Sequence, residues 1–409
     1  MPLQKAKSVW FVPVLSWCVY MAVYFGRINL SIAIPLLQNE LGYSKAMLGV
    51  LAAGFFTAYA AGQLINGIAG DRMQVRIFVT LGLAAAGICN IVFCAVQFFP
   101  LMLLVWSANG YFQSMLWGPL LRTLSECVPE AKLKQARFLM STSPILGHFL
   151  SYVLVGRIAV SFGWKDAFLY PGIMLLAMAV FWYCSIAGFL VKKPGQEKNS
   201  NSLDNETPVK LRVMDFIIQS KLYYIIIFGV LMGIVKEGLT LWSPVIFIDY
   251  FFIDMNNTLT ILSLKPLVTL LIALITGLLY KKYLRGDNGI ILIYLAAAVF
   301  SALAVWCLQD IALVLRIIFY FGIIAALGGI GNILTSYLPF NFRKSKRVSA
   351  VAGIIDSSLY LGAAISGPLI GAVVEVFGWN GIFGGILGTC VIMFVPCLVY
   401  AKTAPAVSR

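Results

Sequence analysis

The chain is poor in charge. Of its 409 residues only 11% are Asp, Glu, Lys or Arg, less than half the share of an ordinary soluble domain, about 25%. It has a single histidine, His148, and its eight cysteines are scattered through apolar runs with no CxxC pair. The low charge excludes a soluble globular enzyme, a disordered chain and a nucleic-acid binder. With one histidine, a zinc site and a His-based catalytic triad lack the groups they require, and no metal is expected. The cysteines read as small buried hydrophobes rather than disulfides. No ATP-binding motif is present, so no cofactor is expected and ATP hydrolysis is not expected to drive anything. What the chain has instead is apolar length: 61% of its residues are hydrophobic, and the mean hydropathy is +0.91.

A membrane-spanning helix needs about 20 apolar residues. Twelve such runs are present, near 10–36, 46–70, 76–97, 100–125, 137–160, 166–191, 219–250, 257–280, 288–308, 312–338, 348–375 and 381–401. They predict an all-α integral membrane protein. With both termini placed inside, 22 of the 30 basic residues fall in inside loops and tails, while the outside loops hold only Lys45 and Lys165. Cytoplasmic loops collect Lys and Arg, so the count predicts that both termini are cytoplasmic. The excess of 30 basic over 16 acidic residues then reports orientation rather than an acidic partner. The only long polar stretch, 192–218, reads as a cytoplasmic linker between a six-helix half at 1–191 and another at 219–409.

The halves look like repeats. Arg27 in helix one and Lys236 in helix seven are 209 residues apart. Gly67, Asp71, Arg72 and Arg76 follow helix two, and Gly277, Lys281, Lys282 and Arg285 follow helix eight, 210 residues later. Phe162-Gly163-Trp164 precedes helix six, and Phe377-Gly378-Trp379 precedes helix twelve, 215 residues later. Two six-helix repeats suit alternating access to a site between them.

With these motifs the sequence resembles the major facilitator superfamily over nearly its whole length. The set Gly67, Asp71, Arg72 and Arg76 is similar to the superfamily's loop 2–3 motif, in which it implies a gating role through pairing with carboxylates. Within the superfamily the chain resembles the organophosphate:phosphate antiporters, whose members include glycerol-phosphate and hexose-phosphate transporters. Tyr24-Phe25-Gly26-Arg27-Ile28-Asn29 is similar to their helix-one signature. Tyr111 to Pro119 with Arg122 is similar to that of helix four, and Lys236-Glu237-Gly238 with Leu241-Trp242-Ser243-Pro244 to that of helix seven. The resemblance implies two central cations at Arg27 and Lys236, and cavity aromatics at Tyr20, Tyr24, Tyr59, Trp117 and Tyr360. The chain departs from the family pattern at Gln63, Pro144, Gly233, Pro266 and Asp356, with His148 one turn beyond Pro144. Pro35, Pro119 and Pro244 are expected to break helices near the family's gating regions.

A charge deep in a bilayer costs at least about 2.5–3.5 kcal/mol on insertion scales. Arg27 and Lys236 lie mid-run and are expected to face a central cavity. There they would hold a phosphate or carboxylate, Arg through a fork of hydrogen bonds and Lys as a point charge. Lys265 and Asp356 are expected to pair with each other or to border the cavity together. Glu237 points about 100° from Lys236 and reads as a packing residue or a local ion pair. Gln63 and His148 complete the substrate-binding candidates. The expected function is secondary active transport of a small organic anion, an organophosphate exchanged for inorganic phosphate. One alternative is proton-coupled symport of a carboxylate or sugar acid, with Asp356 or Glu237 titrating. A second is a transporter-like sensor of a sugar phosphate. The expected setting is the bilayer of a bacterial inner membrane, with a monomer and no nucleic-acid partner.

Overall fold

The computed structural model describes residues 2–187, 213–282, 287–342 and 348–403, and every regular element in them is helical. Among the described residues ten helices are long and apolar enough to cross a membrane. One of them, Gly353–Thr403, has 51 residues. At 1.5 Å per residue it would be about 76 Å long, more than twice the hydrocarbon thickness of about 30 Å. It is two spans meeting at Gly378, whose φ of 64° leaves the helical region. A further span is built from two shorter helices, Phe99–Gln113 and Trp117–Cys127. The spans thus number twelve.

In chain order they are α1 (Val9–Leu41), α2 (Lys45–Arg72), α3 (Val75–Ala95), α4 (Phe99–Gln113 continued by Trp117–Cys127), α5 (Glu130–Phe162) and α6 (Asp166–Ile186). The second set is α7 (Leu222–Asp249), α8 (Met255–Ser263 continued by Lys265–Lys282), α9 (Asp287–Cys307), α10 (Leu313–Asn332), α11 (348–377) and α12 (379–403). Residues 192–212 of the expected linker lie outside the described residues, and Val213–Gln219 forms a short helix. Asp254 caps α8 by accepting from the Asn257 backbone N–H. That bond and one from the Asn257 side-chain amide hold the Asp254 carboxyl below its usual range.

Four predicted runs are interrupted, at Tyr24, 114–116, Leu264 and Met393, and the breaks at 114–116 and Leu264 each precede a proline. Proline has no N–H and its ring crowds the carbonyl four residues back. Pro119 accounts for the break at 114–116 in α4, and Pro266 for the break at Leu264 in α8. Pro35 and Pro244 behave otherwise: both lie inside continuous helix, against expectation. The Thr240 carbonyl, which Pro244 leaves without its helical donor, accepts from the Ser31 hydroxyl of α1 at 3.2 Å. The same hydroxyl donates to the Leu241 carbonyl at 2.6 Å. The missing donor is supplied from the other half of the molecule.

The repeat is visible atom by atom at the last inter-span corner of each half. Gly163 has φ 93° and ψ 177°, and Gly378 has φ 64° and ψ −176°. Both conformations belong to a region that is essentially glycine's alone. The preceding Phe162 and Phe377 are 65% and 68% exposed, while the following Trp164 and Trp379 are 1% and 7% exposed. Each corner therefore turns one aromatic outward and anchors the next in the core.

The halves are sealed together at the end of the bundle that carries loops 42–44 and 250–254. Lys45 and Asp249 form an ion pair at 2.7 Å, and Glu375 accepts from the Ala46 N–H at 3.1 Å. Gly49 and Gly367 bring the backbones of α2 and α11 together so closely that a Cβ on either would collide with the facing carbonyl. Gly156 of α5 packs on Leu259 of α8. Nearer mid-membrane, the Tyr59 and Tyr360 rings meet at 4.9 Å.

Candidate functional site

Below the seal lies a cavity of about 300 Å³ walled by both halves. Arg27 enters it from α1, just after the bend at Tyr24. The guanidinium is gripped from behind. Its Nε donates to Gln113 Oε1 at 2.9 Å. Its carbon sits 4.6 Å from the Tyr59 ring centre, 5.0 Å from that of Tyr24 and 5.7 Å from that of Phe55. Its Nη2 is buried and has no hydrogen-bond partner among the described residues. Such a donor is costly unless something satisfies it.

Gln113 is itself fixed by a buried amide network. The Gly26 carbonyl accepts from Gln113 Nε2 at 2.8 Å and Asn109 Nδ2 at 3.0 Å. Asn109 Oδ1 accepts from Gln113 Nε2 and Asn90 Nδ2, and Asn90 Oδ1 accepts from Asn29 Nδ2 at 2.7 Å. Asn29, Asn90, Asn109 and Gln113 are all fully buried. The network fixes which way the Gln113 amide faces, and so which atom meets Arg27. These four residues were absent from the sequence-based site. Their signal was there to be found: each is an uncharged polar residue deep in an apolar run, where it needs a partner inside the bundle.

The second half contributes Lys236, Glu237 and Thr240 from α7 and Lys265 from α8. Lys236 Nζ donates to Glu237 Oε1 at 2.6 Å. Lys265 Nζ donates to Thr240 Oγ1 at 2.8 Å. On α5, His148 Nδ1 lies 2.8 Å from the Pro144 carbonyl. A carbonyl only accepts, so Nδ1 carries the proton and, in the neutral ring, Nε2 is left as an acceptor. The imidazole packs on Tyr24 at 4.5 Å between centres.

Of the predicted substrate-binding residues, Tyr24, Arg27, His148, Lys236, Lys265 and Tyr360 line the cavity together with Glu237. Four others stand behind or away from it. Tyr20 is buried between Tyr24 and Trp117, and Tyr59 is buried beneath Arg27. Trp117 and Gln63 are half-buried outside the lining. Lys265 and Asp356 do not pair: Lys265 Nζ donates instead to Thr240 of α7, and no ion pair joins the two among the described residues. Only Lys265 of the two borders the cavity.

Of the motif after α2 only part is described. Among the described residues Arg76 meets no carboxylate. It donates to the Tyr183 carbonyl at 2.9 Å and lies 3.7 Å over the Tyr183 ring, within its own half. Gly67 is exposed, and the side chains of Asp71 and Arg72 lie outside the described residues.

A family model described as Major Facilitator Superfamily matches residues 16–352. The chain is 25% identical to a protein named "Probable hexose phosphate transport protein" from Chlamydia trachomatis, covering 92% of this chain and 87% of that one. It is 23% identical to the glycerol-3-phosphate transporter of Bacillus subtilis, over 92% and 88% of the two chains. It is 22% identical to the membrane sensor protein UhpC of Escherichia coli, over 90% and 86%. Among solved structures, a bacterial homologue of the human lysosomal transporter Spinster, inward-facing and occupied, superposes with a TM-score of 0.76 at 13% identity over 98% of both chains. A D-xylose-proton symporter gives 0.75 at 14% identity, over 97% of this chain and 99% of that one. That likeness shares the fold. The chain is a multi-pass membrane protein and belongs to the Major Facilitator Superfamily, a superfamily of transporters rather than enzymes.

Proposed function

We propose that this chain is a secondary active transporter of a small organic anion, and that its solute is an organophosphate exchanged for inorganic phosphate by alternating access. One observation carries the proposal. Arg27 and Lys236, at equivalent positions of the two repeats, line one cavity from opposite halves. A phosphate between them would bridge the halves, and it offers the acceptors that Arg27 Nη2 lacks in the fork geometry a guanidinium suits. The names of the relatives, a hexose phosphate and a glycerol-3-phosphate transporter, support the same solute class. The two halves, 1–191 and 219–409, rock about the cavity as the transport cycle proceeds.

The placement of basic residues puts both termini in the cytoplasm. The sealed end then faces outward. Because the named relatives are bacterial, the membrane is the inner membrane of a bacterium, and the chain acts as a monomer.

The test is exchange. Purified protein in phosphate-loaded liposomes takes up labelled phosphate, with competition from sugar phosphates, glycerol phosphate, phosphoglycerates and sugar acids. Arg27→Ala and Lys236→Ala each cut exchange by about a hundredfold, equivalent to about 2.7 kcal/mol. Folded protein that exchanges no phosphate overturns the antiport assignment, and protonophore-sensitive uptake of a sugar acid replaces it with symport. A second reading follows from the relative named as a membrane sensor: phosphate binding without flux would mark this chain as a sensor.

A further inference from the structure

Glu237 is the one carboxylate among the described residues that line the cavity, which also presents Arg27, Lys236 and Lys265. It follows Lys236 directly in the chain. Neighbouring residues on a helix do not normally face each other, yet here the ammonium and carboxylate meet at 2.6 Å. Both side chains turn to the same side of α7, where Lys236, Glu237, Thr240 and Leu241 form the wall. Neither is sealed in protein: Glu237 keeps 24% of its side chain exposed and Lys236 keeps 31%. The pair stands where an incoming anion would have to meet Lys236.

We propose that Glu237 is a tethered counter-ion that competes with the transported anion for Lys236. This inference rests on the proposal that the cavity binds an anion. A carboxylate fixed on the same helix acts at high effective concentration, so the anion must displace it. Two consequences follow. The affinity for the anion is lower than the basic groups alone would give. The unloaded carrier does not carry Lys236 as an uncompensated charge, so its return step is less costly, and the protein can run net transport as well as exchange. Arg27 differs in this respect, having a glutamine and aromatic rings around it and no carboxylate within ion-pair distance among the described residues. The division of labour is then clear: Arg27 stands ready for the anion, while Lys236 is released to it.

The full-length protein tests this with two readouts. The first is phosphate-dependent thermal stabilisation of the purified protein, which reports binding whether or not flux occurs. The second is the ratio of net phosphate efflux into phosphate-free medium to phosphate–phosphate exchange in liposomes. Glu237→Gln keeps the shape and removes the charge. It lowers the phosphate concentration giving half-maximal stabilisation by threefold or more, and it lowers the efflux-to-exchange ratio by about tenfold. Glu237→Asp, which retains the charge on a shorter arm, falls between wild type and Glu237→Gln in both. Half-saturation that is unchanged or raised in Glu237→Gln, or no stabilisation by phosphate in either protein, overturns the inference. An efflux-to-exchange ratio that Glu237→Gln leaves unchanged overturns its consequence for net transport. The expected binding shift without any flux in wild type upholds the counter-ion and overturns the transport function instead.

Discussion

Arg27 shows how a single charge is made usable in a bilayer. The side chain is held by an amide oxygen and by aromatic faces, all of which attract a cation without neutralising it. A carboxylate in place of the amide would act differently. At about 4 Å and an effective dielectric near 20, a pair of unit charges attracts by about 4 kcal/mol, enough to compete with the anion for the arginine. Gln113→Glu therefore raises the half-saturating phosphate concentration for exchange by tenfold or more. A concentration series in liposomes measures it. Gln113→Glu with wild-type half-saturation would show that the Arg27–Gln113 contact does not set affinity. The charges of this site were legible in the sequence, because a basic residue deep in an apolar run has few places to go. The amides that aim Arg27 were not. Asn and Gln in a span are less conspicuous, and their partners come from α1, α3 and α4, whose spacing along the chain hides the contact.

At the scale of the element, what the sequence predicts correctly depends on whether the deciding partner is local. Pro119 and Pro266 interrupt their helices as local rules require. Pro244 does not, because Ser31 reaches across from α1 to the carbonyl it leaves open. The glycine corners are the opposite case. Phe-Gly-Trp was visible in both halves, and the two glycines adopt the same backbone region with φ of 93° and 64°. A side chain there is strained by about 1–3 kcal/mol. Gly163→Ala and Gly378→Ala each lower the thermal midpoint of the purified protein. Being in separate halves, the two losses add in the double variant. Midpoints equal to wild type would mean that the corners relax at no cost and that the repeated motif has another purpose.

For the whole molecule, the number of spans could be read from twelve apolar runs and the twofold plan from three recurring landmarks, but not the state in which the halves meet. That state is set by contacts between residues about 200 to more than 300 positions apart, such as Lys45 with Asp249 and Ala46 with Glu375. No local pattern announces them. The contacts also differ in kind from the cavity. Gly49 and Gly367 bring backbone against backbone, a fit that depends on missing side chains and comes apart as a unit rather than stretching. The Lys45–Asp249 pair is partly exposed, with side chains 20% and 35% accessible, so it adds on the order of 1 kcal/mol or less. A latch of that strength can hold one state and still open in a transport cycle, since a shift of about 1.4 kcal/mol changes a population ratio tenfold. If the seal must open for the cavity to change sides, fixing it covalently stops transport without harming the site. Cysteines placed at 45 and 249, in a background with the eight native cysteines replaced, and joined by a short reducible thiol cross-linker, abolish phosphate exchange while phosphate-dependent stabilisation persists. Reduction restores exchange. Exchange that continues in the cross-linked protein would mean that the halves never part at this end, and that the solute takes another path.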